Sequence, residues 1–111
     1  MNKIELYKQY LSAFNAHSLS EIEKCLSPDC TVEVKGKVHT RGRDAMLPNY
    51  TAHWERQGTP IEVREIKEIE NGVWVILRDW DDGKELEVEY YYNDEGVQIK
   101  HNIKGISLIP K

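Results

Sequence analysis

The hydrophobic period of the chain changes once, near residue 60, and that change limits the folds open to it. Before it, Ile4, Tyr7, Leu11 and Phe14 recur at helical spacing. They mark one apolar face of a helix over roughly residues 2–16. Ser18 and Glu21 form a capping-box pair for a second helix with an apolar edge of Leu19, Ile22 and Leu26, and Pro28 stops it. Cys30, Val32 and Val34 alternate with Thr31 and Glu33, which reads as a strand. Gly36 to Gly42 reads as a turn with a short strand around Val38. Pro48 suits the first turn of a third helix, with Leu47, Tyr50 and Trp54 on one face and Gly58 as its stop. Beyond residue 60 the pattern is β, with strands expected at roughly 61–69, 73–80, 85–92 and 97–108. Helices first and a long meander after predict an α+β fold with the helices on one face of a sheet. Residues 1–111 form a single domain on this reading.

The meander has a register that can be argued. Asp82-Gly83 is a strong hairpin signal. A two-residue turn there places Leu77 opposite Val88, Asp79 opposite Leu86, Arg78 opposite Glu87 and Trp74 opposite Tyr91. A four-residue loop at Asn93–Gly96 then sets Val88 beside His101 and Glu89 beside Lys100. A glycine bulge there would slip the strand by one and turn Ile99 and Ile103 outward, and it is rejected for its loss of apolar burial. One face then carries Leu77, Asp79, Val88, Tyr90, Tyr92, Ile99, His101 and Ile103. The opposite face carries Trp74, Ile76, Arg78, Trp80 and Tyr91 among glutamates and lysines.

Composition excludes several classes. The net charge of −4 leaves no basic footprint for nucleic acid. The longest apolar run, Val73–Leu77, is too short for a membrane span, and the N-terminus does not read as a signal peptide. Cys25 and Cys30 read as free thiols, which fits a reducing cytoplasm. His17, His39, His53 and His101 show no ligand spacing, so no metal is expected. No phosphate loop or nucleophile elbow is present, and no cofactor is expected.

Three stretches carry a family likeness: Tyr10-Leu-Ser-Ala-Phe-Asn-Ala-His-Ser-Leu, Ser27-Pro-Asp-Cys-Thr-Val-Glu-Val34, and Arg41-Gly-Arg-Asp-Ala45. With the element order, they resemble the SnoaL-like and ketosteroid-isomerase-like branch of the nuclear transport factor 2 superfamily. The resemblance implies three N-terminal helices packed on a strongly curved mixed β-sheet that forms a conical, cystatin-like pocket. It also implies a small-molecule ligand and, in many members, a dimer through the convex sheet face. Members include isomerases, cyclases and proteins that only bind. In the isomerases a base aspartate follows the Val-Glu of the first strand, and here that place holds Val34. The first-helix tyrosine is matched by Tyr10, but its late-strand aspartic acid partner falls on Val88 or Tyr92. Steroid-isomerase chemistry is therefore not expected.

The remaining candidates come from the inner face. His101 interrupts an apolar row, as an acid–base imidazole in a cleft would. Asp79 is a second polar group on that face, though two strands away. With Tyr10 these make the expected catalytic set, for an isomerase or lyase acting on a compact, partly apolar substrate. Phe14, Val34, Trp54, Leu77, Val88, Tyr90 and Tyr92 make the expected ligand-binding wall. Trp74, Ile76, Arg78, Trp80 and Tyr91 form the surface expected to pair in a homodimer. The competing expectation is a non-catalytic dimeric module of the same fold. A cavity above roughly 300 Å³ with His101 in its wall is what the binding reading requires.

Overall fold

Helix α1 (Lys3–Asn15) starts where the Asn2 side chain accepts a hydrogen bond from the Glu5 N–H at 2.9 Å. It stops at His17, which takes φ 56°, a left-handed conformation that histidine tolerates better than most residues. The Ser18 N–H then closes back on the Ala13 carbonyl at 3.0 Å. In the computed structural model, which describes residues 1–110, eight further elements follow. They are α2 (Leu19–Cys25), β1 (Leu26–Val34), β2 (Lys37–Arg41), α3 (Arg43–Arg56), β3 (Glu62–Ile69), β4 (Gly72–Asp79), β5 (Lys84–Tyr92) and β6 (Gln98–Leu108). The six strands form one sheet in the order β2-β1-β6-β5-β4-β3. Strand β1 runs parallel to β6 and the other pairs are antiparallel, so the sheet is mixed. No described helix is long and apolar enough to cross a membrane.

The sheet curls around the helices because its ladders are interrupted. Register shifts fall at Val32/Glu33, Val63/Glu65, Glu87/Val88 and Tyr91/Tyr92. Each extra residue bends its strand and adds local twist. The concave face closes on Tyr7 and Tyr10 of α1, Ile22 of α2, and Met46 and Tyr50 of α3, all buried against Val73, Val75, Leu77, Val88 and Tyr90.

Local details differ from the sequence reading, each for a physical reason. Ser18 is the N-cap of α2, but its side chain makes no capping bond. Helix α3 begins at Arg43 rather than near Pro48, because Gly42 supplies a φ of 89° at its entry. Pro48 therefore lies inside the helix, where its carbonyl accepts the Thr51 hydroxyl at 3.0 Å. Pro28 lies within β1, in the stretch between Leu26 and Thr31 where pairing to β6 is broken.

The two hairpins also depart from expectation. Strand β4 pairs Leu77 with Leu86, Arg78 with Glu85, Val75 with Val88 and Trp74 with Glu89. The loop is thus four residues, Trp80–Gly83, because Asp79 Oδ1 accepts the N–H groups of Asp81 and Asp82, both at 3.1 Å. Gly83 closes the loop at φ 66°. The slip is by two residues, an even number, so every side chain keeps its expected face. At the next hairpin the loop is five residues, 93–97, so Val88 pairs with Ile103 and Glu89 with Asn102 rather than with His101 and Lys100. A bulge is present that turns Ile99 outward but not Ile103. Tyr90 pairs with His101 and Tyr91 with Lys100, but Tyr92 pairs with Gln98. Ile99 is the extra residue and is 41% exposed, while Gln98 is fully buried. Ile103 and His101 remain on the inner side, so the loss of apolar burial is confined to one residue.

On the convex face, the apolar residues are more covered than their spacing alone implies. Trp74 Nε1 donates to Glu87 at 2.7 Å, Tyr91 Oη donates to Glu89 at 2.9 Å, and Ile76 is buried. Arg78 and Arg64 share Glu85 at 2.9 and 3.1 Å. Trp80 alone of this set stays widely open, although its Nε1 donates to Glu62 at 2.7 Å.

Gly72 gives the fold a direct test. A Cβ there would meet the Tyr90 carbonyl oxygen at 2.2 Å, a backbone atom that cannot step aside. Gly72→Ala is expected to destabilise the domain by about 2–3 kcal/mol. Gly83→Ala, which meets open space and suffers only from its positive φ, should cost about 1 kcal/mol. Urea denaturation of the two variants checks the order.

Candidate functional site

Helix α3 lies across the mouth of the curled sheet and leaves two adjoining hollows. The larger is about 400 Å³. Strands β1 and β6 wall it with Val32, Val34, His101 and Ile103, and α3 faces them with Met46 and Tyr50. The smaller is about 260 Å³ and lies between α1 and the far end of the sheet. Tyr10, Leu77, Asp79, Leu86 and Tyr90 face it. Phe14 and His53 border both hollows, with ring centroids 5.3 Å apart, and form the partition between them.

His101 is held by a chain of buried polar groups. Its Nε2 is hydrogen-bonded to Gln98 Oε1, and Gln98 Nε2 donates to Tyr92 Oη at 3.1 Å. Because the Gln98 oxygen can only accept, His101 Nε2 carries the proton. Nδ1 is then a bare acceptor. Burial pushes the imidazole pKa down to about 3, so the ring is neutral at pH 7. Tyr90 and Tyr10 pack edge-on against it, at centroid distances of 4.6 and 5.8 Å.

Tyr10 reaches across the helices instead of standing free. Its hydroxyl is 2.8 Å from that of Tyr50. Desolvation raises both phenol pKa values well above their ordinary one, so both remain protonated. Two hydroxyls sharing one hydrogen bond leave one proton still able to donate. Tyr7 is fully buried beside Tyr90, with centroids 4.7 Å apart, and its hydroxyl has no hydrogen-bond partner of good geometry.

Asp79 is buried, yet it lies in the smaller hollow, apart from His101. One oxygen holds the β4–β5 turn, and the other lies 3.9 Å from His53 Nε2. The three expected catalytic residues are thus divided: His101 faces the larger hollow, while Tyr10 and Asp79 face the smaller. Of the expected wall, Phe14, Val34, Leu77 and Tyr90 line one hollow or both. The other three lie outside them. Trp54 packs behind Phe14 and stacks on His17, with centroids 5.9 and 5.3 Å away. Val88 is covered within the core, and Tyr92 turns toward Gln98 and the groove beside α2.

Three residues that matter to this geometry escaped the sequence reading. Gln98 did so because it faces inward only through the bulge at Ile99. Tyr50 and His53 carry a faint signal, since they stand three residues apart on a helix whose sides both face hollows.

No family model matches the chain, and a search of curated proteins returns no match. Solved structures do match. A SnoaL-like protein of unknown function from Burkholderia thailandensis superposes with a TM-score of 0.80 at 13% identity, covering 95% of this chain and 94% of that one. A putative polyketide cyclase from Sinorhizobium meliloti gives 0.74 at 18% identity, over 93% and 99%. AclR, a putative hydroxylase from Streptomyces galilaeus, gives 0.76 at 19% identity, over 97% and 80%. The chain has the SnoaL-like, nuclear transport factor 2-like fold.

The neutral state of His101 has a consequence for acid stability. Its folded pKa of about 3 lies below the 6.5 of a free imidazole. Between those values the unfolded chain binds a proton that the folded chain does not, so stability falls as pH falls. The slope from this group approaches about 1.4 kcal/mol per pH unit well below 6.5. Replacing His101 with Gln should flatten it, as read by urea midpoints between pH 7 and 5.

Proposed function

We propose that this protein binds a compact, largely apolar small molecule in the larger hollow, through a hydrogen-bond donor on the ligand. The observation that carries this reading is the fixed tautomer of His101. An acceptor nitrogen on the wall of the hollow selects a ligand hydroxyl or N–H, because a ligand that covers it without pairing it loses free energy. Val34 and Ile103 supply the apolar wall beside it. The spare proton of the Tyr10–Tyr50 pair offers a donor for a ligand carbonyl on the helix side. A hydroxylated ketone or polycyclic phenol presents both groups, which is in keeping with a putative polyketide cyclase and a putative hydroxylase among proteins of this fold.

Turnover, on this reading, is of the isomerase or lyase kind, on the part of a ligand that reaches past Phe14 and His53 into the smaller hollow. Asp79 and Asp82 are the carboxylates that border it, and His53 is the imidazole beside Asp79. Val34 stands where the isomerases carry their base, which favours binding over steroid-isomerase chemistry. The convex face is proposed as a twofold contact between two copies, centred on Trp80, the one open large residue of the expected patch.

Two measurements check this. A thermal-shift screen of hydroxylated ketones and phenols should give a hit, since a ligand at 100 times its Kd adds about 2.7 kcal/mol of stability. His101→Phe should abolish that shift and, because it leaves the buried Gln98 oxygen unpaired, also lower the unliganded melting point; a shift that persists in the variant would place the ligand elsewhere. Light scattering at micromolar concentration should report a dimer that Trp80→Glu dissociates, and a monomeric wild type would refute the convex-face contact.

A further inference from the structure

We propose that His53, Asp79 and Asp82 form a site for a divalent transition metal at the rim of the smaller hollow. One ligand atom from each residue lies within 4.8 Å of the other two. The geometry that argues for an ion is a gap. His53 Nε2 and Asp79 Oδ2 are 3.9 Å apart, too far for a hydrogen bond. Nε2 is nevertheless buried without a partner. The Asp79 side chain is only 6% exposed, and its Oδ1 is taken by the two turn N–H groups, which leaves Oδ2 aimed at the gap with no hydrogen bond of its own. A buried imidazole nitrogen left in this way is costly.

A metal satisfies both atoms at once. Zinc binds a histidine nitrogen and a carboxylate oxygen at about 2.0–2.2 Å. With such bonds the two ligand atoms stand about 3.4 Å apart at a tetrahedral angle and about 4 Å apart at a wide one. The observed 3.9 Å falls inside that interval. One imidazole with two carboxylates is a mixed N/O donor set, suited to Zn²⁺ or Mn²⁺ more than to Ca²⁺ or Mg²⁺, which prefer oxygen alone. Asp82 is steadied by Arg56 Nη1 at 3.5 Å. Lys84 also borders the hollow and opposes a cation by charge, but it occupies none of the three ligand atoms. Coordination positions left over would face the hollow, open to water or a ligand. No spacing along the chain marks the site, because the imidazole lies on α3 and the carboxylates lie on and after β4.

The test is independent of the small-molecule reading. Chelator-treated protein is titrated with Zn²⁺ or Mn²⁺ at pH 7.5 by calorimetry, and one saturable site per chain is expected. His53→Ala and Asp82→Asn should each weaken it at least about tenfold, while Cys25→Ser leaves it unchanged. Asp79 is spared because it also holds the turn. In NMR spectra, Mn²⁺ should broaden first the amides around residues 53, 79 and 82. Absence of saturable binding, full affinity in either ligand variant, or broadening centred elsewhere (an adventitious ion only) would overturn the site. Should a variant fail to fold, the pattern of broadening in the wild type decides alone.

Discussion

Gln98 is fully buried, and both ends of its amide are committed, the oxygen to His101 and the nitrogen to Tyr92. That arrangement exists because Ile99 is squeezed out of the β5–β6 ladder. A buried amide with either end unpaired would be heavily penalised, so the bulge, the tautomer of His101 and the placement of Tyr92 stand or fall together. The chain trades one exposed isoleucine for a wall in which a histidine is rigid, neutral and correctly turned. Removing the amide would leave two polar groups orphaned at the centre of the sheet.

Around this wall the cone is divided by chemistry as well as by shape. The larger hollow sets Val32, Val34 and Ile103 beside the free nitrogen of His101, with the uncharged polar side chains of Thr40 and Asn49 also in its lining. The smaller holds Asp79 and Lys84 among tyrosines. Phe14 and His53 separate them, and His53 is the one titratable group that touches both. A ligand large enough to fill the cone must displace or straddle that pair. The fold thus places its apolar recognition and its charged groups side by side without mixing them, which keeps the carboxylates from desolvating against an empty apolar wall.

The hydrophobic period and the turn residues made the architecture legible. The i, i+3, i+7 spacing of Ile4, Tyr7 and Leu11 marked α1, and alternation after residue 60 marked the meander. Which strand face turned inward was also readable, and it survived a wrong loop length at Asp82-Gly83 because the error was even. The loop itself was not readable, since the side chain of Asp79 competes for the turn N–H groups and only geometry shows that it wins. Glycine marked the entry to α3 better than Pro48 did, because a φ of 89° excludes almost every other residue.

Sequence by itself determined that helices precede a sheet, that His101 faces inward, and that Val34 brings no carboxylate to the first strand. Those are properties of local period and residue identity. Tertiary structure alone decided which polar groups meet. It joined Tyr10 to Tyr50 across 40 residues, set His53 beside Asp79, and separated Asp79 from His101. Such meetings depend on how far a curled sheet brings its ends toward the helices. That curl is the sum of single-residue bulges, which leave almost no mark on the alternation of a strand.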